Sequence, residues 1–403
     1  MALMPVADAL DAALSGVTAL PEETVAIENA FHRTLARDIT ALRTQPPAAM
    51  SAMDGYAMRA ADATTIPSRL RLIGEAAAGR VFQHPIQAGE TVRIFTGGVV
   101  PAGADAVVIQ EDTAREGDHV IINEVPRLGQ HIRKAGLDFR QGDVYLTRGQ
   151  RLSDRDLALA AAMNHPRLPV HRRPRIALLA TGDELVMPGA TPGDGEVVYS
   201  NGYALRVLAR QEGGEVLDLG IARDTVEETS AAIRRAQASE ADLLITTGGA
   251  SVGDHDVVKR SLESEGVDMA FWRIAMRPGK PMMHGRLGSM RVLGLPGNPV
   301  SSYVCAFLFM VPLIRALSGR TSIHHPLATA SLGRDLPAND GRQDYLRASL
   351  EIRSDGTTIA TPLKLQDSSL LGYLSKAAAL VIRPPFAPAA RAGEPCSIVT
   401  LPA

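Results

Sequence analysis

Residues 246–256 read Thr-Thr-Gly-Gly-Ala-Ser-Val-Gly-Asp-His-Asp and stand between an apolar run, Ala241–Ile245, and a helix-like segment, Val257–Glu265. The apolar run is typical of a buried strand, so the glycines fall where a strand passes into a helix. Glycine lets the backbone bend tightly and approach a ligand, and the first N–H groups of a helix attract an anion. The stretch predicts a phosphate-binding loop. A simple Gly-rich turn with Asp254 as a helix cap is the alternative, and it stays open here.

Strands and helices alternate from residue 173 to residue 322. The pattern predicts strands over 175–180, 216–220, 241–245, 269–276 and 291–295, and helices over 201–212, 225–239, 257–265 and 300–317. Such alternation is typical of a doubly wound, mostly parallel sheet, which binds ligands at the carboxyl ends of its strands. Special turns at Thr181, Thr247 and Pro296 end three of these strands, so we expect them to share one site.

The regions that flank this α/β domain differ from it in sequence pattern. Residues 46–139 contain short β-like runs between glycines and prolines, which predict a β-rich lid domain. Similar runs in residues 323–403 predict a small, β-barrel-like C-terminal domain. Residues 1–45 and 140–172, with helices predicted over Val6–Leu14, within Val25–Arg37 and over Ser153–Met163, form an N-terminal α+β linker domain. The chain is therefore predicted to be a multidomain α/β protein.

Composition limits the kinds of partner. The 403 residues include 42 basic and 44 acidic ones, a balance that argues against a general nucleic-acid binder. The two cysteines, Cys305 and Cys396, are far apart and fit neither a zinc knuckle nor a disulfide framework. The most apolar stretch, residues 300–317, contains Pro312 and Arg315 and predicts a buried helix. We expect a cytoplasmic protein without a membrane or nucleic-acid partner.

Two groups of side chains suit phosphate and metal chemistry: carboxylates at Glu184, Asp254 and Asp256, and cations at Arg273, Arg277 and Lys280. Mg²⁺ is commonly held by one or two protein carboxylates together with phosphate oxygens and waters. Cations in a tight turn can hold an oxyanion by charge-assisted hydrogen bonds. Helix caps and a solvated loop are the structural alternatives for the same residues.

Six motifs resemble, in order, those of the MoeA family, the molybdopterin molybdenumtransferases that share their fold with the E domain of gephyrin. They are Ser-Ala-Met-Asp-Gly-Tyr-Ala at 51–57, Thr-Gly-Gly-Val-Val-Pro-Ala-Gly-Ala-Asp at 96–105, Thr-Gly-Asp-Glu-Leu at 181–185, Gly-Gly-Ala-Ser-Val-Gly-Asp-His-Asp at 248–256, Pro-Gly-Lys-Pro at 278–281 and Leu-Pro-Gly-Asn-Pro-Val-Ser at 295–301. The resemblance covers nearly the whole chain.

The resemblance implies a molybdopterin-binding type of α/β domain and a specific reaction in molybdenum cofactor biosynthesis. The substrates would be molybdate and adenylylated molybdopterin, and Mg²⁺-dependent release of AMP would yield Mo-molybdopterin. It further implies an elongated homodimer in which the partner's lid domain and the α/β domain frame one cleft. Molybdopterin adenylyltransferase and the proteins that deliver the cofactor to molybdoenzymes are the other expected partners.

Residue roles are also implied by the resemblance. The catalytic residues would be Asp54, Glu184 and Asp256, with Glu184 and Asp256 as Mg²⁺ ligands. The substrate-binding residues would be Thr96, Asp138, Asp224, Gly248, Gly249, Ser251, Arg273, Pro296 and Gly297. The molybdate-binding residues would be Arg277, Lys280, Ser301, Arg347 and Ser368.

Some positions depart from the family pattern. Arg273 and Arg277 stand where lysine is common, which keeps the charge and changes its geometry. Asp367 precedes Ser368 where the family often has glycine, and Ala378 stands where asparagine is common. Two alternatives therefore stay open: a paralogue that inserts tungstate, and a non-catalytic molybdopterin-binding or scaffold protein on the same fold.

Overall fold

The computed structural model describes residues 3–248 and 257–402. The elements that precede the α/β domain are β1 (Glu22–Ala26), β2 (Ile39–Thr40), β3 (Met50–Ser51), β4 (Gly55–Met58), β5 (Ser68–Ala76), β6 (Glu90–Ile94), β7 (Ala106–Ile109), β8 (Thr113–Glu116), β9 (His119–Ile122), β10 (Ile132–Arg133), β11 (Val144–Leu146) and β12 (Arg167–His171), with helices α1 (Val6–Leu14) and α2 (Asp154–Ala162).

The linker region joins two distant parts of the chain. Strand β1 pairs antiparallel with β12, and β2 pairs antiparallel with β11. Helix α2 begins at Ser153 with a capping box, in which Ser153 and Asp156 satisfy each other's backbone N–H groups. Leu35, Leu146 and Met163 belong to one buried cluster to which both segments contribute. Residues of both segments therefore pack around one buried cluster.

The lid region is a six-stranded mixed sheet with the order β7-β4-β6-β5-β9-β8. Alternate residues of its central strands point into two small apolar clusters, one around Met58 and Ile122 and the other around Ala57 and Ile94. Strand β4 lies in the middle of the sheet and pairs with β6 and β7. The loops at the ends of β4 and β6 carry Asp54 and Thr96, so this sheet fixes both residues.

The α/β domain contains β13 (Arg175–Thr181), β14 (Leu185–Val186), β15 (Val197–Val198), β16 (Glu215–Ala222), β17 (Leu243–Thr247), β18 (Asp268–Arg273), β19 (Met276–Arg277), β20 (Pro281–Leu287) and β21 (Met290–Leu295), with α3 (Asn201–Gln211), α4 (Val226–Ala238), α5 (Val257–Ser264), α6 (Pro299–Cys305) and α7 (Val311–Leu317). Its sheet has the order β16-β13-β17-β21-β20-β18. The first four strands are parallel, and β20 runs antiparallel to both β21 and β18. The predicted, mostly parallel sheet is confirmed, and strand β20 is an addition to it.

Helices α6 and α7 are joined by a π-helical turn, Ala306–Met310, into one long apolar segment. Pro312 lacks the N–H that a regular helix would use, and the wider turn before it accommodates that loss. By length and composition Pro299–Leu317 could cross a membrane, but 78% of its most apolar window is buried inside the protein. It packs with Val6, Ala9 and Ala13 of α1, as expected of a core helix.

The C-terminal region contains β22 (Ala328–Leu332), β23 (Gln343–Ile352), β24 (Thr358–Pro362), β25 (Ala379–Arg383) and β26 (Pro395–Thr400), with the short helix α8 (Leu371–Leu374). The order β23-β24-β22-β26-β25 closes on itself because β25 also pairs with β23, which makes a five-stranded barrel. Strand β19 pairs with β23 from outside and links the barrel to the α/β domain. The barrel confirms the predicted fold class, while the domain limits stay predictions.

Candidate functional site

Three neighbouring strand ends build the floor of a cleft. Ala180 of β13 stands opposite Thr247 of β17, which stands opposite Leu295 of β21. The cleft above them has a volume of about 850 Å³. Its lining residues are Thr181, Glu184, Leu185, Val197, Val198, Tyr199, Ser200, Asn201, Thr247, Gly248, Pro281, Pro296, Gly297, Asn298, Pro299, Ser369 and Leu371. The three special turns of the sequence therefore meet at one edge of the sheet.

Two glycines allow the strand ends to approach each other. Gly248 has a φ of +92°, and a Cβ placed on it would lie 2.2 Å from the carbonyl oxygen of Thr181. A Cβ on Gly297 would lie 3.6 Å from the Cα of Gly248. Only glycine fits at residue 248, because any side chain meets both backbone strain and a clash. The result is a wall of bare backbone that a ligand can approach closely.

A cluster of carboxylates stands beside this wall. Glu184 lines the cleft, and the backbone N–H of Asp224 donates to Oδ1 of Asp183 at 3.2 Å. Partial burial raises the pKa of Asp224, and the negative charges of Asp183 and Glu184 raise it further. The local field therefore favours a bound cation.

Within residues 3–248 and 257–402, no group of three His, Cys, Asp or Glu side chains is arranged to hold a metal ion. Mg²⁺ usually completes its shell with substrate phosphates and waters, so one or two carboxylates suffice. Glu184 fits this requirement as an exposed carboxylate on the cleft. Asp256, the other predicted Mg²⁺ ligand, lies outside the described residues, as do Gly249 and Ser251.

The predicted cations have different surroundings. Arg277 donates from Nε to Oδ1 of Asp344 at 2.8 Å and from Nη2 to Oδ2 of the same carboxylate. Its Nη1 also donates to Asp340 at 3.3 Å, so its guanidinium faces the barrel. Lys280 is exposed and forms no ion pair with the described part of the chain. Arg273 is half-buried, and its Nε has no hydrogen-bond partner among the described residues.

The barrel contributes a loop to the edge of the cleft. Arg347 is only 1% exposed, and its Nη2 donates to the carbonyl oxygen of Asp367 at 2.9 Å. Burial lowers the pKa of Arg347, and the charge of Asp367 opposes this shift. The hydroxyl of Ser368 accepts a hydrogen bond from Nδ2 of Asn298 at 3.0 Å. Ser301 lies in the first turn of α6 and is 5% exposed.

The lid holds the remaining predicted residues away from this cleft. The Oδ1 of Asp54 accepts hydrogen bonds from both the N–H and the hydroxyl of Thr96, each at 2.7 Å. These bonds lower the pKa of Asp54. Asp138 is exposed, and its carbonyl oxygen accepts from the hydroxyl of Tyr145 at 2.8 Å. Asp54, Thr96 and Asp138 are absent from the described residues that line the cleft.

Comparison with known proteins decides the family. The models named MoeA N-terminal region (domain I and II), probable molybdopterin binding domain and MoeA C-terminal region (domain IV) match residues 4–164, 177–316 and 329–401. The molybdopterin molybdenumtransferase of Haemophilus influenzae is 35% identical over 366 residues, which cover 89% of each chain. The chain belongs to the MoeA family.

Other MoeA-family proteins agree in length and in fold. The Bacillus subtilis molybdopterin molybdenumtransferase is 35% identical over 370 residues, 90% of this chain and 86% of that one. The crystal structure of the MoeA protein from Pyrococcus horikoshii OT3 is 28% identical and superposes with a TM-score of 0.86, covering 99% of this chain and 100% of that chain. The family resemblance inferred from the motifs is therefore confirmed over the whole length of the chain.

The MoeA-family cleft brings together Glu184, Gly248, Pro296 and Gly297, and it places the Ser368 loop at its rim. The individual roles of these residues stay predictions.

Sequence reasoning missed several cleft residues of this MoeA-family chain: Tyr199, Ser200, Asn201, Asn298 and the apolar pair Val197 and Val198. Asn201 donates from Nδ2 to the carbonyl oxygen of Gly297 at 2.8 Å. The pKa of Tyr199 is raised to about 12, chiefly because its side chain is buried, so its hydroxyl stays protonated. Asn298 lies within the Pro-Gly-Asn-Pro turn of residues 296–299, so that motif could have indicated it as a site residue. No sequence pattern marks Val197 and Val198.

Proposed function

We propose that the chain transfers molybdenum from molybdate to adenylylated molybdopterin, with Mg²⁺-dependent release of AMP and formation of Mo-molybdopterin. The observation that carries the proposal is the meeting of Thr181, Gly248 and Gly297 at one cleft, with the Ser368 loop of the barrel at its rim. Its family relatives are named for this transfer of molybdenum.

The glycine wall is the proposed site for the phosphates of the adenylylated pterin. Gly248 and Gly297 present backbone without side chains, so phosphate oxygens can come close to main-chain N–H groups. Pro299 begins α6 directly beyond the wall, and the N-terminal end of this helix adds partial positive charge. The apolar residues Leu185 and Val198 also line the cleft and would cover the planar pterin.

Glu184, with Asp256 as the second predicted ligand, would hold Mg²⁺ against the substrate phosphates. When bound, the ion would neutralise the negative charge that develops on the pyrophosphate link. The negative charges of Asp183 and Glu184 act on Asp224, and the three carboxylates together would favour a bound cation. The same carboxylates repel an unneutralised phosphate, so the proposal requires the metal and the pterin nucleotide to bind together.

The proposed molybdate site lies where the α/β domain meets the barrel. Lys280 supplies an exposed ammonium, Arg347 a buried guanidinium and Ser368 a hydroxyl. Arg277 stands at the same junction, but its guanidinium is occupied by Asp344. We therefore propose that Lys280 and Ser368 contact the oxyanion directly. Arg277 would instead hold in place the turn that carries Lys280.

We also propose a homodimer in which the lid of one subunit completes the cleft of the other. The motivating observation is that Asp54 and Thr96 pair tightly with each other and are not among the described residues that line the cleft of their own chain. Mixing an Asp54→Asn variant with a Glu184→Gln variant tests this idea. Activity should reappear in the mixture, because one site of each mixed dimer then carries neither change. A mixture as inactive as its parents would contradict shared sites.

AMP release tests the reaction itself. Purified protein should release AMP from adenylylated molybdopterin only when both Mg²⁺ and molybdate are supplied, and Glu184→Gln should release none. A protein that binds the pterin nucleotide and releases no AMP would instead be a carrier, the second function considered for this fold. A cytoplasmic location remains part of the proposal.

A further inference from the structure

Asn298 stands where the cleft, helix α6 and the barrel meet. It lines the cleft and occupies the N-cap position of α6, but its side chain makes no capping hydrogen bond. An N-cap asparagine ordinarily uses its side-chain oxygen to accept from an N–H of the first helical turn. Here its Nδ2 donates instead to the hydroxyl oxygen of Ser368 at 3.0 Å, across 70 residues of sequence. Its side chain therefore forms a hydrogen bond to the barrel and does not cap its own helix.

The surrounding backbone fixes both partners of this bond. The N–H of Val300 donates to the carbonyl oxygen of Ser368 at 3.0 Å, so the Ser368 backbone substitutes for the missing helix cap. On the other side, Nδ2 of Asn201 donates to the carbonyl oxygen of Gly297 at 2.8 Å. The turn that carries Asn298 and the loop that carries Ser368 are thus held from two directions.

The polarity of the Asn298–Ser368 bond has a chemical consequence. A serine hydroxyl has one proton to donate and lone pairs with which to accept. Because the NH₂ group of Asn298 can only donate, the bond uses a lone pair of Ser368, and the Ser368 O–H donates to no group among the residues that the structure describes. A free O–H at the rim of the cleft can donate to an oxygen of a bound oxyanion. Reversal of this polarity would remove that donor.

We propose that Asn298 is a positioning residue for the oxyanion substrate, because its amide holds the Ser368 hydroxyl as a hydrogen-bond donor toward the cleft. The inference rests on the proposed function, in which Ser368 contacts molybdate. It adds a residue that touches no substrate oxygen in this role and acts through its neighbour. It also accounts for the unused capping position at the start of α6.

The variant Asn298→Asp separates positioning from structural support. Aspartate has the same shape and is a favourable N-cap that also suits the positive end of the helix, so the melting temperature should be unchanged or higher. Its carboxylate can only accept, so it takes the proton of Ser368 and adds a negative charge. Molybdate binding, measured by equilibrium dialysis with and without adenylylated molybdopterin, should weaken by about tenfold or more.

Further variants identify what causes the weaker molybdate binding of Asn298→Asp. Asn164→Asp makes the same change of charge at an exposed position in the linker region and should bind molybdate like the unchanged protein. Ser368→Ala should also weaken molybdate binding, and the double variant should lose less than the sum of the two single losses, since both changes act on one hydroxyl. In turnover, the KM for molybdate should rise while the KM for the pterin nucleotide stays constant.

The inference would be overturned if Asn298→Asp bound molybdate as tightly as the unchanged protein. Equal losses of stability, pterin binding and molybdate binding in Asn298→Asp would also overturn it. So would the absence of molybdate binding by the unchanged protein both with and without the pterin nucleotide. Failure of the proposed function looks different. In that case the protein transfers no molybdenum to the pterin, while the dialysis still separates Asn298→Asp and Ser368→Ala from Asn164→Asp.

Discussion

Arg277 forms a two-pronged ion pair with Asp344: Nε donates to Oδ1 at 2.8 Å, and Nη2 donates to Oδ2. The Asp344 side chain is only 7% exposed, whereas that of Arg277 is 45% exposed. The pair joins the last residue of β19 to the second residue of β23, and these two strands also pair with each other through their backbones. A residue predicted to bind molybdate therefore also connects the α/β domain to the barrel.

Arg277→Ala should lower the free energy of unfolding by about 2–3 kcal/mol, because it leaves the buried Asp344 carboxylate without its charged partner. Urea unfolding followed by circular dichroism measures the change. Arg353→Ala, an exposed arginine of the barrel, is the matched control and should stay within about 0.5 kcal/mol of the unchanged protein. The double variant Arg277→Ala/Asp344→Asn should recover much of the loss, since no buried charge remains. Unchanged unfolding of Arg277→Ala would show that the pair adds nothing.

Lys280→Ala should act on binding and not on stability. Its ammonium is exposed and forms no ion pair within the described residues, so the unfolding free energy should change by less than about 0.5 kcal/mol. Loss of one charge-assisted bond should raise the dissociation constant of molybdate by about tenfold. Arg155→Ala removes the same charge from a side chain that is 91% exposed, and it should leave molybdate binding unaffected. Equal effects of the two variants would point to long-range charge alone.

Gly248→Ala should abolish tight binding of the pterin nucleotide, because the new Cβ would lie 2.2 Å from the carbonyl oxygen of Thr181 and displace the strand end. Gly220→Ala is the matched control, since Gly220 also has a positive φ, +78°, but meets open space. Both variants pay a backbone strain of about 1–2 kcal/mol, and only Gly248→Ala adds the clash. Calorimetric titration of the nucleotide measures binding. Equal losses in both variants would assign the effect to strain and not to the close approach.

The pH dependence of stability should reveal the carboxylate cluster. The pKa of Asp224 is raised by burial and then by Asp183 and Glu184, so the folded state resists its ionisation. The charged carboxylate of Asp224 therefore lowers the free energy of unfolding. This loss of stability is absent below the ordinary carboxyl pKa, about 4, and is complete once the pH exceeds the raised pKa of the folded state. Asp224→Asn should therefore unfold at higher urea than the unchanged protein at pH 7, and the difference should vanish at low pH.

Asp355→Asn is a control of opposite sign for that experiment. Hydrogen bonds from Thr357 lower the pKa of Asp355, so its charged form stabilises the folded state above the ordinary carboxyl pKa. Its replacement should lower stability at pH 7 and lose that effect as the pH falls. If Asp224→Asn is less stable than the unchanged protein at pH 7, the like-charge account of the cluster is wrong.

Local patterns explain why much of this architecture was predictable. Each apolar run before Thr181, Thr247 and Pro296 is a short-range signal, and parallel strands bring their carboxyl ends to the same edge. Strand β20 was missed because it follows directly on the Arg277–Lys280 turn and begins with Pro281, a residue that argues against a strand. Its antiparallel pairing with β21 completes a hairpin that short-range periodicity does not reveal.

The contacts that define the site depend on long-range packing. Arg277 and Asp344 are 67 residues apart, and Asn298 and Ser368 are 70 apart, so no local pattern links either pair. The motif quoted at residues 295–301 contains Asn298, but its donor role depends on a loop of another domain. Sequence analysis identified residue types suited to phosphate and oxyanion chemistry, whereas the fold decides which of them are free and which are paired.

The metal content of the pterin product distinguishes molybdenum transfer from pterin binding alone. The protein should be incubated with adenylylated molybdopterin, molybdate and Mg²⁺, and the pterin then separated and analysed by mass spectrometry and elemental analysis. Molybdenum should be bound to the released pterin, with AMP formed in equal amount, and Glu184→Gln should form neither product. AMP released without molybdenum on the pterin, or an adenylylated pterin recovered intact, would contradict molybdenum transfer.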